Sequence, residues 1–235
     1  MHLRRPVEAP QIPPGMEIRR MKYAHDGKNS TGRKLESYHL GMSDPAFQRM
    51  SVEEYLRTEP DSPVKREYVN GFVYTIDNSE GIRAQAGAGK AHVTITGNIH
   101  HALYLHSRRA GCRLYASDMK VRVESEQSFY YPDLMAACGP DNGEAYFESS
   151  PCLLVEVLSK RTAATDRHAK YAAYTAIPSL QTYLIVAQDE RRVYAYQRQG
   201  ESWELAEYVG QGEMGLPCLN MALSLDTIYV GVLEG

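Results

Sequence analysis

The pattern of apolar and polar positions changes character at residue 51. Over residues 1–50 no apolar period persists for two helical turns, and Pro6, Pro10, Pro13 and Pro14 interrupt the chain. This stretch reads as an irregular arm. Beyond it, Ser51 and Glu54 in "SVEEYL" form an S-x-x-E capping box that opens a short helix. "REYVNGFVYTI" contains two β-rich runs parted by Asn70-Gly71, which predicts a tight hairpin. In "AHVTITGNIHHALYLHSRRAG", Val93, Gly97, Ile99, Leu103 and Leu105 fall in loose helical register, and Gly111 is placed to end that helix.

From Arg113 the period becomes two. "RLYASDMKVRV" and "YYPDLMAAC" read as consecutive strands, "DNGEAYFESS" as a loop, and "PCLLVEVLSKRT" as a central strand covered on both faces. The alanine-rich "TAATDRHAKYAAYTA" predicts a helix closed by Pro178, and "QTYLIVA" returns to strand. Strand, helix and strand in that order imply a parallel crossover. "RRVYAYQR" and "SWELAEYV" predict an antiparallel extension, and "LSLDTIYVGV" a closing segment.

One position breaks this pattern. Glu156 sits amid Leu153, Leu154, Val155, Val157 and Leu158, where an uncompensated carboxylate is very costly. A basic partner, a proton or a metal ion has to compensate it. Asp133, in "YYPDL", stands two residues into its expected strand after a proline that marks a strand start or an edge. If the two strands are neighbours, their carboxylates converge on one point, and converging oxygens suit a hard cation such as Mg²⁺ or Mn²⁺. In the following helix Asp166, Lys170 and Tyr174 share a face. Lys170 is either a group aimed at the site or half of an exposed i,i+4 pair with Asp166. Glu67, in the hairpin, is either a third member of the cluster or a solvated strand residue. His92, near the start of its helix, is the histidine best placed for a polar or phosphate contact.

Composition adds limits. The 235 residues suffice for one well-covered core, and no apolar run approaches a membrane span. The opening residues lack the apolar stretch of a signal peptide, so a cytoplasmic protein is expected. Residues 1–50 carry nine Lys/Arg against five Asp/Glu, or +4, which leaves −3 − 4 = −7 for residues 51–235. A nucleic-acid surface would therefore be a local basic patch, not a global property. Cys112, Cys138, Cys152 and Cys218 show no CxxC spacing, and buried free thiols are the expectation.

Together, "REYVNGFVY", "AHVTITGNI", "YYPDLMAAC", "LLVEVLSKRT", "DRHAKYAAY", "IPSLQTYLIV" and "SLDTIYVGV" resemble the Uma family of inferred restriction endonucleases, within the PD-(D/E)xK superfamily. The resemblance runs from about Ser51 to the C-terminus. It implies an α/β fold, a restriction-endonuclease-like mixed sheet flanked by helices over residues 51–235, preceded by the basic arm 1–50. It also implies Mg²⁺-dependent hydrolysis of DNA. By the same resemblance Asp133 and Glu156 match the family's metal ligands, Glu67 borders the site, and Ser159 closes the "EVLS" segment as a supporting group. The superfamily's usual lysine would fall at Leu158, so its role passes to Lys170. Thr182 stands where family members commonly carry a glutamate. Cleavage of both strands would suit a homodimer. The alternative is a catalytically silent module of the same fold that holds nucleic acid or a protein partner. A purely structural network sharing a proton between the two acids leaves Lys170 without a role.

Overall fold

The computed structural model describes residues 20–23, 49–76, 89–158 and 170–233, with side chains from residue 49 onward. In chain order, β1 (Arg20–Tyr23) and α1 (Val52–Thr58) precede the hairpin of β2 (Arg66–Val69) and β3 (Phe72–Thr75). Next come α2 (Lys90–Arg109), β4 (Arg113–Ala116), β5 (Lys120–Val123), β6 (Ser128–Tyr130), β7 (Leu134–Ala137), β8 (Phe147–Glu148) and β9 (Leu153–Leu158). Helix α3 is described over residues 170–175. It leads into β10 (Thr182–Ala187), β11 (Arg192–Gln199), β12 (Ser202–Val209), β13 (Glu213–Leu216), β14 (Met221–Ser224) and α4 (Leu225–Ile228).

Local signals act as expected. The Ser51 hydroxyl accepts from the Glu54 N–H at 3.2 Å and caps α1. Asn70 and Gly71 take φ of 48° and 93°, the left-handed pair that a two-residue hairpin needs. In α2, Ile95, Ile99 and Leu103 recur every four residues and are fully buried, and Gly111, at φ 71°, closes the helix.

Seven strands form the main sheet in the order β1-β12-β11-β10-β9-β7-β4, and five form a second in the order β3-β2-β6-β5-β8. The parallel pairing of β9 with β10 is the expected crossover. Six successive residues of β9 are buried, as a strand covered on both faces requires. One face packs Leu153, Val155 and Val157 with α2, α4 and the β13–β14 hairpin. The other packs Leu154 and Leu158 with α3 and with Val121, Val123 and Tyr130 of the second sheet. Tyr55, Tyr68, Phe129 and Phe147 make a smaller aromatic cluster under α1.

Several expectations are corrected, among them the loop "DNGEAYFESS", which contains β8. "RLYASDMKVRV" is two strands in different sheets, β4 and β5, parted by Ser117 at φ 57°. "YYPDLMAAC" likewise divides into β6 and β7, so Asp133 precedes β7 instead of lying inside a strand. Pro132 has no N–H to continue a ladder, and the chain changes sheets there. Within the segment read as an irregular arm, Arg20–Tyr23 form an edge strand antiparallel to β12. The cysteines differ too: Cys112 is bonded to Cys138 and Cys152 to Cys218, so none is a free thiol. Their partners lie 26 and 66 residues apart, beyond the reach of any local spacing rule.

Candidate active site

The site forms where the two sheets meet, and β9 supplies its centre. Alternation puts Glu156 on the same face as Leu154 and Leu158, the face turned toward α3. β7 runs antiparallel to β9 with Leu134 opposite Val155, so the next rung opposes Asp133 to Glu156. Asp133 shares the face of Met135 by the same alternation. The two acids that the sequence expects to converge are therefore neighbours across one rung. Asp133 is held at both oxygens: Oδ2 accepts the Val157 N–H at 2.7 Å, and Oδ1 lies 3.0 Å from His92 Nε2. His92 comes from the first turn of α2, which packs on the opposite face of the sheet.

Glu156 is only 3% exposed. Two donors from α3 converge on its Oε1, Lys170 Nζ at 3.1 Å and the Tyr174 hydroxyl at 2.8 Å. Tyr174 is fully buried, edge-on to both Tyr130 and Tyr183. Lys170 Nζ also lies 3.3 Å from Glu67 Oε1. It thus bridges the two sheets, because Glu67 belongs to β2, where Tyr68 faces the aromatic cluster and Glu67 the junction. The Tyr131 N–H reaches the same oxygen of Glu67 at 3.5 Å. Lys170 therefore sits in the site and not on a solvated helix face. Its expected partner Asp166, and Ser159, lie outside the described residues.

Electrostatics show what these donors leave undone. Burial pushes the Glu156 carboxyl up to about 7, the nearby charge of Asp133 adds to the rise, and Lys170 and Tyr174 offset only part of it. The hydrogen bond to Asp133 raises His92, against burial. Burial and the adjacent Glu156 charge lift the Tyr174 hydroxyl well above its ordinary range, so it stays a donor. Glu67, Asp133 and Glu156 thus face Lys170 and His92; their hard oxygens are of the donor type that Mg²⁺ or Mn²⁺ prefers, and Asp133 and Glu156 are the neighbouring pair.

A supporting network carried no sequence signal. Glu59, 6% exposed, accepts from the Arg66 N–H at 2.8 Å, from Arg66 Nε at 2.7 Å and from the Tyr131 hydroxyl at 2.9 Å. It fixes the start of β2, one residue before Glu67, and the residue two before Asp133. Seven residues separate Glu59 from Arg66 across a loop, and no helical or strand period links them.

The Uma2 family model, described as "Putative restriction endonuclease", matches residues 52–227. The chain belongs to the Uma2 family. Two uncharacterised proteins of Synechocystis sp. are similar to this Uma2 chain. The first is 30% identical over 188 residues, 79% of this chain and 94% of the relative. The second is 31% identical over 167 residues, 69% and 89% of the two. Among solved structures, a protein described as "a putative nuclease belonging to DUF820" from Anabaena variabilis superposes with a TM-score of 0.56 at 16% identity, covering 77% of this chain and 98% of that one. At that identity the superposition speaks for the fold: a mixed α/β, nuclease-like architecture. Family membership makes the chain nuclease-like. No helix among the described residues is long and apolar enough to cross a membrane.

Proposed function

We propose that this Uma2 protein is a divalent-cation-dependent endonuclease that hydrolyses phosphodiester bonds in DNA. One observation carries the reading. Glu156, buried in an aliphatic strand and facing Asp133, still has its carboxyl pushed up to about 7 with Lys170 and Tyr174 both bonded to it. A site whose own lysine and hydroxyl leave that much uncompensated favours a further cation.

Asp133 and Glu156 are the residues that would hold Mg²⁺ or Mn²⁺, with Glu67 bordering them. When bound, the ion supplies a water that ionises near neutral pH and neutralises charge on the phosphate. The chain's own groups provide the remainder. Lys170, between Glu67 and Glu156, stabilises charge that develops on the phosphate oxygens. Tyr174 fixes the Glu156 rotamer through Oε1, and His92 fixes Asp133 through Oδ1 while offering a phosphate contact. Ser159 acts as a supporting group just beyond β9. Residues 51–235 form the catalytic unit and residues 1–50 an accessory arm with a charge of +4. A homodimer in the cytoplasm would pair two sites for the two strands.

The test is cleavage of plasmid and linear DNA by the purified full chain with Mg²⁺ or Mn²⁺. Wild type is expected to cut only with the ion, and Asp133→Asn and Glu156→Gln to lose cleavage while remaining folded. Lys170→Ala should slow cleavage by roughly 10²–10³-fold, the scale of a lost transition-state charge contact. Cleavage by Asp133→Asn at the wild-type rate, or calorimetry showing no Mg²⁺ heat that depends on Glu156, overturns the reading in favour of a silent binding module.

A further inference from the structure

The four cysteines of the chain gather at one end of β4, β7 and β9, away from the acids. Cys112 immediately precedes β4 and Cys138 immediately follows β7, on the rung after Arg113 and Ala137, with their Cα atoms 4.1 Å apart. Cys152 immediately precedes β9, and its N–H donates to the Ala136 carbonyl at 2.8 Å. Cys218 arrives from the 3-10 turn Pro217–Leu219 between β13 and β14. Two pairs are joined, yet the pairs also touch each other. The sulfurs of Cys138 and Cys152 lie 3.3 Å apart, and those of Cys138, Cys152 and Cys218 all lie within 4.8 Å of one another. The Cys218 carbonyl approaches the sulfurs of Cys138 and Cys112 at 3.6 and 4.0 Å.

We propose that in the reduced chain these four sulfurs form a tetrathiolate site for one Zn²⁺ ion. Four thiolates at about 2.3 Å from zinc stand roughly 3.8 Å from each other in a tetrahedron; the contacts among Cys138, Cys152 and Cys218 bracket that separation, and Cys112 adjoins them through Cys138. The donor set is all soft sulfur, which selects zinc over the hard cations suited to the acidic site. Cys112 and Cys152 are each 4% exposed and Cys138 and Cys218 are half-buried, and four protein sulfurs make the full ligand set of a structural centre. Each cysteine stands at the end of a different element, so the ion would tie the C-terminal hairpin to the ends of three strands. β7 separates Cys138 from Asp133, about 16 Å at 3.3 Å per residue, so this centre stands independently of the nuclease reading.

Loading balances as four thiols plus Zn²⁺ giving the dianionic tetrathiolate complex and four protons. The two disulfides are the oxidised form of the same site. Two equivalents of hydrogen peroxide, with four protons, convert the complex to Cys112–Cys138 and Cys152–Cys218, four waters and free Zn²⁺. Each pair of thiolates gives up two electrons to one hydrogen peroxide as its disulfide forms.

The experiment uses the full chain reduced under anaerobic conditions and dialysed against Zn²⁺ or Co²⁺. We expect one tightly held zinc per chain, and for cobalt an intense sulfur-to-metal absorption with the visible bands of tetrahedral geometry. Peroxide should release zinc in step with the loss of four titratable thiols. Asp133→Asn should keep the ion and Cys218→Ser should lose it. Cobalt bound without the sulfur band, no zinc retained by reduced wild type, or Cys218→Ser holding zinc as wild type does would each overturn the proposal. The wild-type cobalt spectrum decides the matter alone if the cysteine variant fails to fold.

Discussion

Glu156 carries a free-energy cost that its neighbours only partly offset, and the cost has a pH signature. The folded carboxyl stands at about 7 against an ordinary 4.5. A carboxyl raised by folding binds its proton more tightly in the native state. Its contribution to stability is therefore fully present below pH 4.5 and is lost as pH rises through 7. A shift of 7 − 4.5 = 2.5 corresponds to about 3 kcal/mol. His92 is also raised, so above its ordinary 6.5 it acts in the same direction. Comparing Glu156→Gln with wild type removes most of the histidine's part, which rests chiefly on its hydrogen bond to Asp133. In metal-free buffer the variant should be the more stable protein above pH 7, and the difference should vanish toward pH 4.5. Urea denaturation of both across that range is the measurement, and parallel curves would refute a raised Glu156.

Elements are held together by side chains that also serve the site, and Asp133 is the clearest instance. Its Oδ2 closes the end of the β7–β9 ladder on the Val157 N–H, where Pro132 has just sent the chain between sheets. Asparagine keeps an acceptor at that place and alanine does not. We expect Asp133→Ala to lose about 1–3 kcal/mol, the cost of a backbone donor left unpaired in partly buried surroundings. Asp133→Asn should stay near wild type in stability while losing cleavage with it. Equal destabilisation in the two variants would mean that the ladder contact does not matter.

The same element shows what could be read in advance. The Ser51 cap, the Asn70-Gly71 turn, the Gly111 stop and the β9–β10 crossover are local or nearly local, so their signals lie within a few residues. The pairing of Asp133 with Glu156 was legible because neighbouring strands usually pair and because aliphatic flanks make a lone glutamate conspicuous. The breaks at Ser117 and Pro132 were not, since one strand changing sheets looks in sequence like one longer strand. Glu59 and the cysteine cluster escaped for a related reason: their partners converge through topology, with no period connecting them. Lys170 was ambiguous in sequence because an i,i+4 partner and a distant carboxylate leave the same trace.

At the scale of the whole molecule, the site is a joint. Asp133, just before β7, and Glu156 of β9 come from one sheet, β2 supplies Glu67 from the other, and Lys170 of α3 spans Glu67 and Glu156. An ion bound by Asp133 and Glu156 beside Glu67 would sit at that joint, and its binding energy would add to global stability. Binding to the native state alone stabilises by about 2.7 kcal/mol at a hundred times Kd. For a domain of this size that raises Tm by roughly 5–10 °C, taking about 2–4 °C per kcal/mol. The gain should be larger at pH 8 than at pH 5.5, because the ion competes with the proton that Glu156 holds more firmly at lower pH. Calorimetric scans with and without Mg²⁺, at both pH values, test this in one protein. Asp133→Asn and Glu156→Gln should each erase the shift, whereas Cys218→Ser should lower the baseline Tm and leave the Mg²⁺ increment in place. An increment that survives in Asp133→Asn would place the ion elsewhere on the molecule and remove the metal from the joint between the sheets.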